Sequence, residues 1–122
     1  MQYNSFMVSA LPQVFRLTQF DFHHSLEQTQ GLAVVYFTAQ ACGACRHLLP
    51  VLTQLPGHGI QVYQVDAEQE LALVKEFEVF HLPAMFLYVD GCFHAPLHSE
   101  PRLDKILQTV SMLASAPPQE AP

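Results

Sequence analysis

Apolar and polar residues follow two different periods in the first third of the chain. The run QVFRL, which ends at Leu17, has the period of two that predicts a strand. TQFDFHHSLEQTQG then repeats apolar residues at helical spacing and ends near a glycine. The next run, LAVVYFTA from Leu32, is continuously apolar and rich in β-branched and aromatic residues. Such a run is typical of a strand covered on both faces, so we place it at the centre of a sheet.

The middle of the chain repeats this alternation of helix and strand. After Cys42, leucines recur at helical intervals around Pro50, which is expected to kink the helix, and Pro56-Gly57 ends it. IQVYQVDA alternates as a strand does. EQELALVKEFEVF then carries apolar residues on one helical face and charged residues on the other.

A hairpin and a last helix complete the predicted fold. AMFLYVDG and CFHAPL predict two strands joined by a turn at Asp90-Gly91, and Pro96 indicates that the second strand lies at an edge. EPRLDKILQTVSMLA has one apolar stripe and predicts an amphipathic helix. Strands that alternate with helices and end in a hairpin predict an α/β fold with a central mixed β-sheet flanked by helices.

Length and composition predict one folded unit. The chain has 122 residues, of which 50% are hydrophobic and 13% are charged, and a chain of this kind can bury a single core. We divide it into an N-terminal extension at 1–13, a domain at 14–114 and a disordered tail at 115–122. We expect a monomer.

The charge balance excludes two classes of partner. The net charge is −6 and Lys plus Arg number only five, so nucleic acid and anionic membrane surfaces lack an electrostatic driving force. No segment is long and apolar enough for a membrane-spanning helix. The N-terminal residues lack a charged region followed by an apolar run, so no secretory signal is visible, although a mature chain without its signal would look the same. We expect a cytoplasmic protein.

The segment QACGACRH contains the candidate chemistry, since Cys42 and Cys45 follow the predicted central strand and open a helix. Unpaired N–H groups and the helix dipole lower a cysteine pKa there to about 3.5 to 7.5, from about 8.5 for a free thiol. Cys42 is therefore the candidate nucleophile. Cys45, one turn further in, is close enough to form a disulfide and points inward, which suits a resolving thiol.

Zinc binding is an alternative use of a CxxC pair. Zinc needs four ligands, and no second CxxC is present, so Cys92 and several histidines would have to converge. We therefore predict no metal site and no organic cofactor.

At these residues the sequence resembles the thioredoxin family, over about residues 14–113. The matching features are the strand–CxxC–helix junction, Pro50 eight residues after Cys42, VDA at 65–67 and HLPAMFLYVDG at 81–91. The resemblance implies a thioredoxin fold and exchange between the Cys42/Cys45 dithiol and disulfides of protein substrates, with a thioredoxin reductase as one possible electron donor.

The resemblance also implies a docking surface beside Cys42. In the family the proline at the position of Pro83 is cis, and the residue before it, here Leu82, offers its backbone N–H and C=O to an extended substrate. The substrate-binding residues carried over from the family are Ala41, Gly43, Ala44, Leu82 and Pro83.

Several positions depart from the family pattern. Ala41 replaces a tryptophan, Gln40 replaces an acidic residue and Ala44 replaces a proline, so we expect altered substrate docking and a shifted redox balance. Tyr36 and Gln64 stand where the family has a buried aspartate and its lysine partner. A phenol with a pKa near 10 is a poor base, so we expect slower release of substrate and weaker reductase activity.

Two further departures alter the surface beside the predicted cis-proline. Ser99 stands near a family glycine, and Ala84 follows the proline in place of a threonine or serine. Both lie in or next to the family's docking surface. We therefore expect a specialised or degraded protein-binding face.

The histidines, the third cysteine and one arginine are expected to have structural or surface positions for the most part. We expect the histidines at 23, 24, 58, 94 and 98 on the surface. His47 and His81 are close to the motif and either tune the thiols or are merely exposed. Cys92 is expected to be a buried, inert thiol, with regulatory oxidation or an intermolecular disulfide as the alternative. Arg46 is expected to be an exposed helix cation, with stabilisation of a thiolate or contact with an acidic partner as the alternative.

Two functions therefore stay open. The first is a thiol/disulfide oxidoreductase that acts on protein disulfides. The alternative is a binding or assembly module that keeps the CxxC but turns over weakly or not at all, as the missing tryptophan, proline and buried acid would permit.

Overall fold

The computed structural model describes residues 14–122, and the expected N-terminal extension lies outside them. The described chain forms a five-stranded mixed sheet in the order β1-β3-β2-β4-β5. The strands are β1 Val14–Leu17, β2 Leu32–Thr38, β3 Ile60–Asp66, β4 Ala84–Val89 and β5 Cys92–Leu97. β1 and β2 run parallel to β3, β4 is antiparallel to β2, and β5 is antiparallel to β4. The predicted α/β class with a mixed sheet is confirmed.

Helices cover both faces of this sheet. They are α1 Phe22–Glu27, α2 Gly43–Leu52, a 3-10 turn Leu55–His58, α3 Leu71–Glu76 and α4 Leu103–Ser115. Pro50 lies inside α2, as the sequence indicates. None of the helices in residues 14–122 is long and apolar enough to cross a membrane.

Side chains of the sheet alternate between two separate cores. On one face α2 and α4 cover a mainly aliphatic cluster that includes Val34, Leu52 and Ile106. On the other face α1 and α3 cover an aromatic cluster that includes Phe22 and Phe77. β2 lies between the two cores, and its residues 33–37 are all buried. A continuously apolar strand is the expected sequence for this position, because neither of its faces meets water.

The predicted hairpin is present and fixes the outer edge of the sheet. Asp90 and Gly91 both have positive φ, 50° and 82°, as the two central residues of a tight hairpin turn require. A Cβ added to Gly91 would lie 3.0 Å from the carbonyl oxygens of Leu26 and Glu27, so glycine is also needed for close packing. β5 is an edge strand, which accommodates Pro96.

Two side-chain predictions on β5 are wrong. His94 is not on the surface: it is 8% exposed, and its Nε2 lies 2.7 Å from the carbonyl oxygen of Leu113 and 3.0 Å from that of Ala116. The ring nitrogen thus lies within hydrogen-bond distance of two carbonyls at the C-terminus of α4, that of Ala116 and that of Leu113, which also accepts the Ala116 N–H at 3.1 Å. Cys92 is exposed rather than buried, because it opens β5 directly after the turn.

The segment that follows α4 makes a backbone contact with the edge strand. α4 continues through Ser115, and the Gln119 N–H donates a 2.7 Å hydrogen bond to the carbonyl oxygen of His94. This bond joins the segment after α4 to β5 at one position.

Candidate active site

The cysteine pair lies where the central strand β2 passes into α2. Cys42 is the N-cap residue of α2, with extended backbone angles of φ −93° and ψ 108°. Its Sγ accepts a hydrogen bond from the Cys45 N–H, at 3.1 Å. A sulfur atom therefore takes the place of the usual oxygen cap, and a thiolate there would face the positive end of the helix.

Cys42 and Cys45 are joined by a disulfide, with their Cα atoms 5.2 Å apart. The two sulfurs have different surroundings: Cys42 is half-buried, whereas Cys45 is 3% exposed and packs into the protein. An incoming disulfide can therefore approach Cys42, while Cys45 is shielded behind it. This is the difference expected between an attacking thiol and a resolving thiol.

The residues predicted to bind substrate surround Cys42 unequally. Ala41, Gly43 and Ala44 are exposed around the disulfide. The Leu82–Pro83 peptide bond is cis, and both residues are half-buried at the start of β4.

A largely apolar cavity of about 280 Å³ brings two of these residues together. Ala44 lies on one side, and Pro83 and Met85 lie on the other. Leu82 instead packs against the aromatic core. His98 and Ser99 also line the cavity, at the end of β5.

A second cavity, of about 420 Å³, has Cys45 in its lining. Its walls come from β1, β2, β3 and α2, together with the loops that follow β2 and β3; its lining residues are Arg16, Tyr36, Thr38, Ala39, Gln40, Cys45, Arg46, Leu49, Gln64, Asp66 and Gln69. We call it the Cys45 cavity. Most of its lining groups are polar, so water can find hydrogen-bond partners inside it.

Tyr36 and Gln64, the residues that replace the family's buried charged pair, contact one another in the wall of the Cys45 cavity. The Tyr36 hydroxyl donates a 3.0 Å hydrogen bond to Gln64 Oε1. Burial raises the pKa of Tyr36 to about 12, against a smaller lowering by Arg16. The hydroxyl therefore stays protonated at neutral pH and cannot take the thiol proton of Cys45.

Two charged residues of the Cys45 cavity were missed by the sequence interpretation. The Arg16 Nη2 lies 4.0 Å from the Asp66 Oδ2, and the Asp66 side chain is only 18% exposed. The sequence analysis used the VDA run at 65–67 only as the end of a strand. A signal was available: Asp66 and Gln64 are two residues apart on one strand, so both side chains point to the same face of the sheet.

Other candidate residues do not join the site as ligands. Within residues 14–122, no three His, Cys, Asp or Glu side chains converge as a metal ion would require. His47 and His81 are exposed, as is Arg46, which lies at the rim of the Cys45 cavity. His23, also exposed, pairs with Glu76 across α1 and α3 at 3.0 Å.

Comparison with known proteins settles the family. The thioredoxin family model matches residues 13–112, nearly the whole domain. The chain belongs to the thioredoxin family. The resemblance seen in the CxxC and cis-proline segments is thereby confirmed over residues 13–112.

Similar thioredoxins are identical to this chain at about a quarter of the aligned positions. The chloroplastic thioredoxin Y of Oryza sativa subsp. japonica is 27% identical over 82 residues, which cover 65% of this chain and 49% of that protein. A thioredoxin of Staphylococcus epidermidis is 27% identical over 81 residues, or 64% of this chain and 76% of that protein. This chain thus spans about half the length of the rice thioredoxin.

A solved structure supports the fold assignment. A chain from a study of thiol resolution in a yeast mitochondrial 1-Cys peroxiredoxin through the glutathione and thioredoxin systems superposes with a TM-score of 0.69. The match covers 85% of this chain and 96% of that chain, at 21% sequence identity. At this identity the likeness concerns the fold alone.

Proposed function

We propose that this thioredoxin-family protein is a thiol/disulfide oxidoreductase that acts on protein disulfides through Cys42 and Cys45. The observation that carries the proposal is the disulfide at the N-terminus of α2, with one accessible and one buried sulfur. A disulfide with only a structural role would not need its outer sulfur at a helix N-terminus, where the thiolate is stabilised after reduction.

The reaction proceeds in two exchanges. The Cys42 thiolate attacks one sulfur of a substrate disulfide, forms a mixed disulfide and releases the other substrate sulfur as a thiolate. Cys45 then loses its proton and attacks the Cys42 Sγ, which restores the Cys42–Cys45 disulfide and releases the second substrate thiolate. The substrate gains two electrons and the protein loses two. Both released thiolates take protons from solvent.

Substrate recognition is proposed at the surface around Cys42. The exposed backbone at Ala41 and Gly43 leaves the sulfur open to an extended segment, and Leu82 presents its backbone beside the cis bond. The cavity between Ala44 and Pro83 accepts an apolar side chain next to the substrate cysteine. With alanine at position 41 there is no large aromatic wall, so binding energy depends more on this cavity.

The remaining partners follow from the same proposal. Another protein, such as a thioredoxin reductase, returns electrons to the Cys42–Cys45 disulfide. We also propose that the protein works as a monomer in the cytoplasm, where a reducing environment regenerates its dithiol.

A covalent trap tests the proposed reaction. The parent protein carries Cys92→Ser, because Cys92 is exposed and would react with the same reagents. In this background, reduced Cys45→Ser should form a mixed disulfide with a small disulfide-containing protein such as insulin, and dithiothreitol should reverse it. The matched Cys42→Ser variant should form little adduct, since its remaining cysteine is buried. Equal adducts in both variants, or none in either, would contradict the proposed roles.

The alternative function, a binding or assembly module, is favoured by one observation. The Tyr36–Gln64 hydrogen bond stands where the family has a proton acceptor for the resolving thiol. A binding module holds its partners without exchange at the cysteines, so a variant with both Cys42 and Cys45 replaced by serine should keep its partners. The oxidoreductase proposal instead predicts that this double variant loses covalent capture and its ability to reduce insulin.

A further inference from the structure

Charged groups from three elements meet in the Cys45 cavity. Arg16 comes from β1, Asp66 from β3 and Arg46 from α2. Strand register explains why they meet: Arg16 pairs with Gln64 across β1 and β3, and Thr38 pairs with Asp66 across β2 and β3. Alternate residues of a strand share a face, so these side chains lie on the side of the sheet that α2 covers.

Resolution of the mixed disulfide needs a group that takes the thiol proton of Cys45. The Tyr36 hydroxyl cannot do this, because burial raises its pKa to about 12. The amides of Gln40, Gln64 and Gln69 are not bases at neutral pH. Among the described residues that line the cavity, the one carboxylate is that of Asp66.

The cavity has room for a proton path between the two groups. Its volume is about 420 Å³, and a water molecule in the liquid occupies about 30 Å³. The lining amides, the Thr38 hydroxyl and the carboxylate offer the several hydrogen bonds that an ordered water needs. The Asp66 carboxylate is held at the wall, because its Oδ1 accepts the Glu68 N–H at 2.9 Å while Oδ2 faces Arg16.

We propose that Asp66 accepts the thiol proton of Cys45 through water in this cavity, in place of a buried acid on β2. The inference rests on the proposed oxidoreductase function and concerns its second exchange. The proton moves from Cys45 Sγ to water, and a proton of that water moves to the Asp66 carboxylate. The Cys45 thiolate then attacks Cys42 Sγ, and the Cys42–substrate bond breaks. The departing substrate thiolate takes a proton from solvent, and Asp66 returns its own proton to solvent.

Arg16 and Arg46 are the cations that face this path. Both stabilise negative charge in the cavity, first on the carboxylate and then on the Cys45 thiolate. Tyr36 contributes a neutral hydroxyl at neutral pH, and its hydrogen bond to Gln64 fixes the side of the cavity next to β2.

Asp66→Asn tests the inference with little change of shape. Asparagine keeps an oxygen for the Glu68 N–H, while it removes the proton-accepting carboxylate and its charge opposite Arg16. Asp90→Asn is a matched control, because Asp90 Oδ1 also accepts a backbone N–H, from Gly31 at 2.7 Å, in the hairpin turn. Both substitutions are made in the Cys92→Ser parent, and urea denaturation of each variant measures its folding.

The reaction is followed with dithiobis(nitrobenzoate), which releases a coloured thiolate at each exchange. Attack by Cys42 on the reagent gives the first release, and resolution by Cys45 gives the second. Near pH 7 we expect Asp66→Asn to leave the first rate unchanged and to slow the second at least tenfold, since a positioned general base typically contributes about 10²- to 10⁴-fold. The second rate should recover as pH rises, because hydroxide replaces the carboxylate. Asp90→Asn should change neither rate.

Formate adds a second readout that a merely structural role of Asp66 would not move. The Cys45 cavity is large enough for this small carboxylate, so formate should accelerate the second release of Asp66→Asn, whereas chloride at equal ionic strength should not. Equal second rates in Asp66→Asn and Asp90→Asn, equal slowing of both releases, or no rescue by formate would overturn the inference while leaving the proposed function intact. A parent protein without any second release would overturn both.

Discussion

Replacing Tyr36 with phenylalanine removes one hydroxyl from the wall of the Cys45 cavity and leaves the aromatic ring in the core. The lost hydrogen bond to Gln64 is worth about 1 kcal/mol net. Gln64 is half-buried and faces a cavity that admits water, so its Oε1 is not left without a partner. We therefore expect the free energy of unfolding to fall by about 1 kcal/mol or less, rather than by the larger penalty for an unsatisfied buried group.

The same substitution tests whether the Tyr36 hydroxyl takes part in proton transfer. A pKa of about 12 means that about one hydroxyl in 10⁵ is ionised at pH 7, which is too few for a useful base. The second release of thiolate from dithiobis(nitrobenzoate) should therefore keep its rate within about twofold in Tyr36→Phe, with urea denaturation as the control for folding. A loss of about tenfold or more in a variant that remains folded would refute this reasoning and return Tyr36 to the role of proton acceptor.

Three further predictions concern stability. Leu52→Ala, in the aliphatic core at 0% exposure, should lower the free energy of unfolding by about 2 to 5 kcal/mol in urea, whereas Leu49→Ala on the exposed side of the same helix should cost under about 1 kcal/mol. His94→Ala should lower it by about 1 to 3 kcal/mol, because the Ala116 carbonyl loses its donor and the Leu113 carbonyl keeps only the Ala116 N–H. His98→Ala at an exposed position should change it little, and equal effects would contradict the capping role. The raised pKa of Tyr36 favours the folded state fully below pH 10 and stops doing so as pH rises through about 12. Tyr36→Phe should therefore lose less stability than the parent between pH 10 and 12, by at most about 2.7 kcal/mol, and parallel pH curves would refute this.

Much of the fold can be predicted because the spacing of apolar residues along the chain indicates which side chains are buried. The continuous apolar run of β2 requires cover on both faces, and the turn at Asp90-Gly91 requires positive φ. Both features can therefore be predicted from the sequence alone. The placement of Cys42 at a helix N-terminus follows in the same way from the change of period after β2.

The features that could not be predicted depend on contacts between distant segments. His94 is buried because α4 ends against β5, and nothing near position 94 in the sequence indicates where that helix ends in space. Asp66 and Cys45 line the same cavity only because β1, β3 and β2 pair in the observed register. Local pattern determines which face a side chain takes, whereas register and packing determine what that side chain meets.

The claim that Cys42 and Cys45 form a working redox pair is tested by the reduction potential of the Cys92→Ser protein in glutathione buffers. We expect a single two-electron transition between about −120 and −270 mV, the range of thioredoxin-fold oxidoreductases. We also expect alkylation of reduced Cys42 with a pKa below the free-thiol value of about 8.5. A value near −270 mV would indicate a reductase, and one above about −200 mV an oxidant or isomerase. A pair that stays oxidised to below about −300 mV, as structural disulfides do, or a Cys42 that titrates like a free thiol, would contradict the claim.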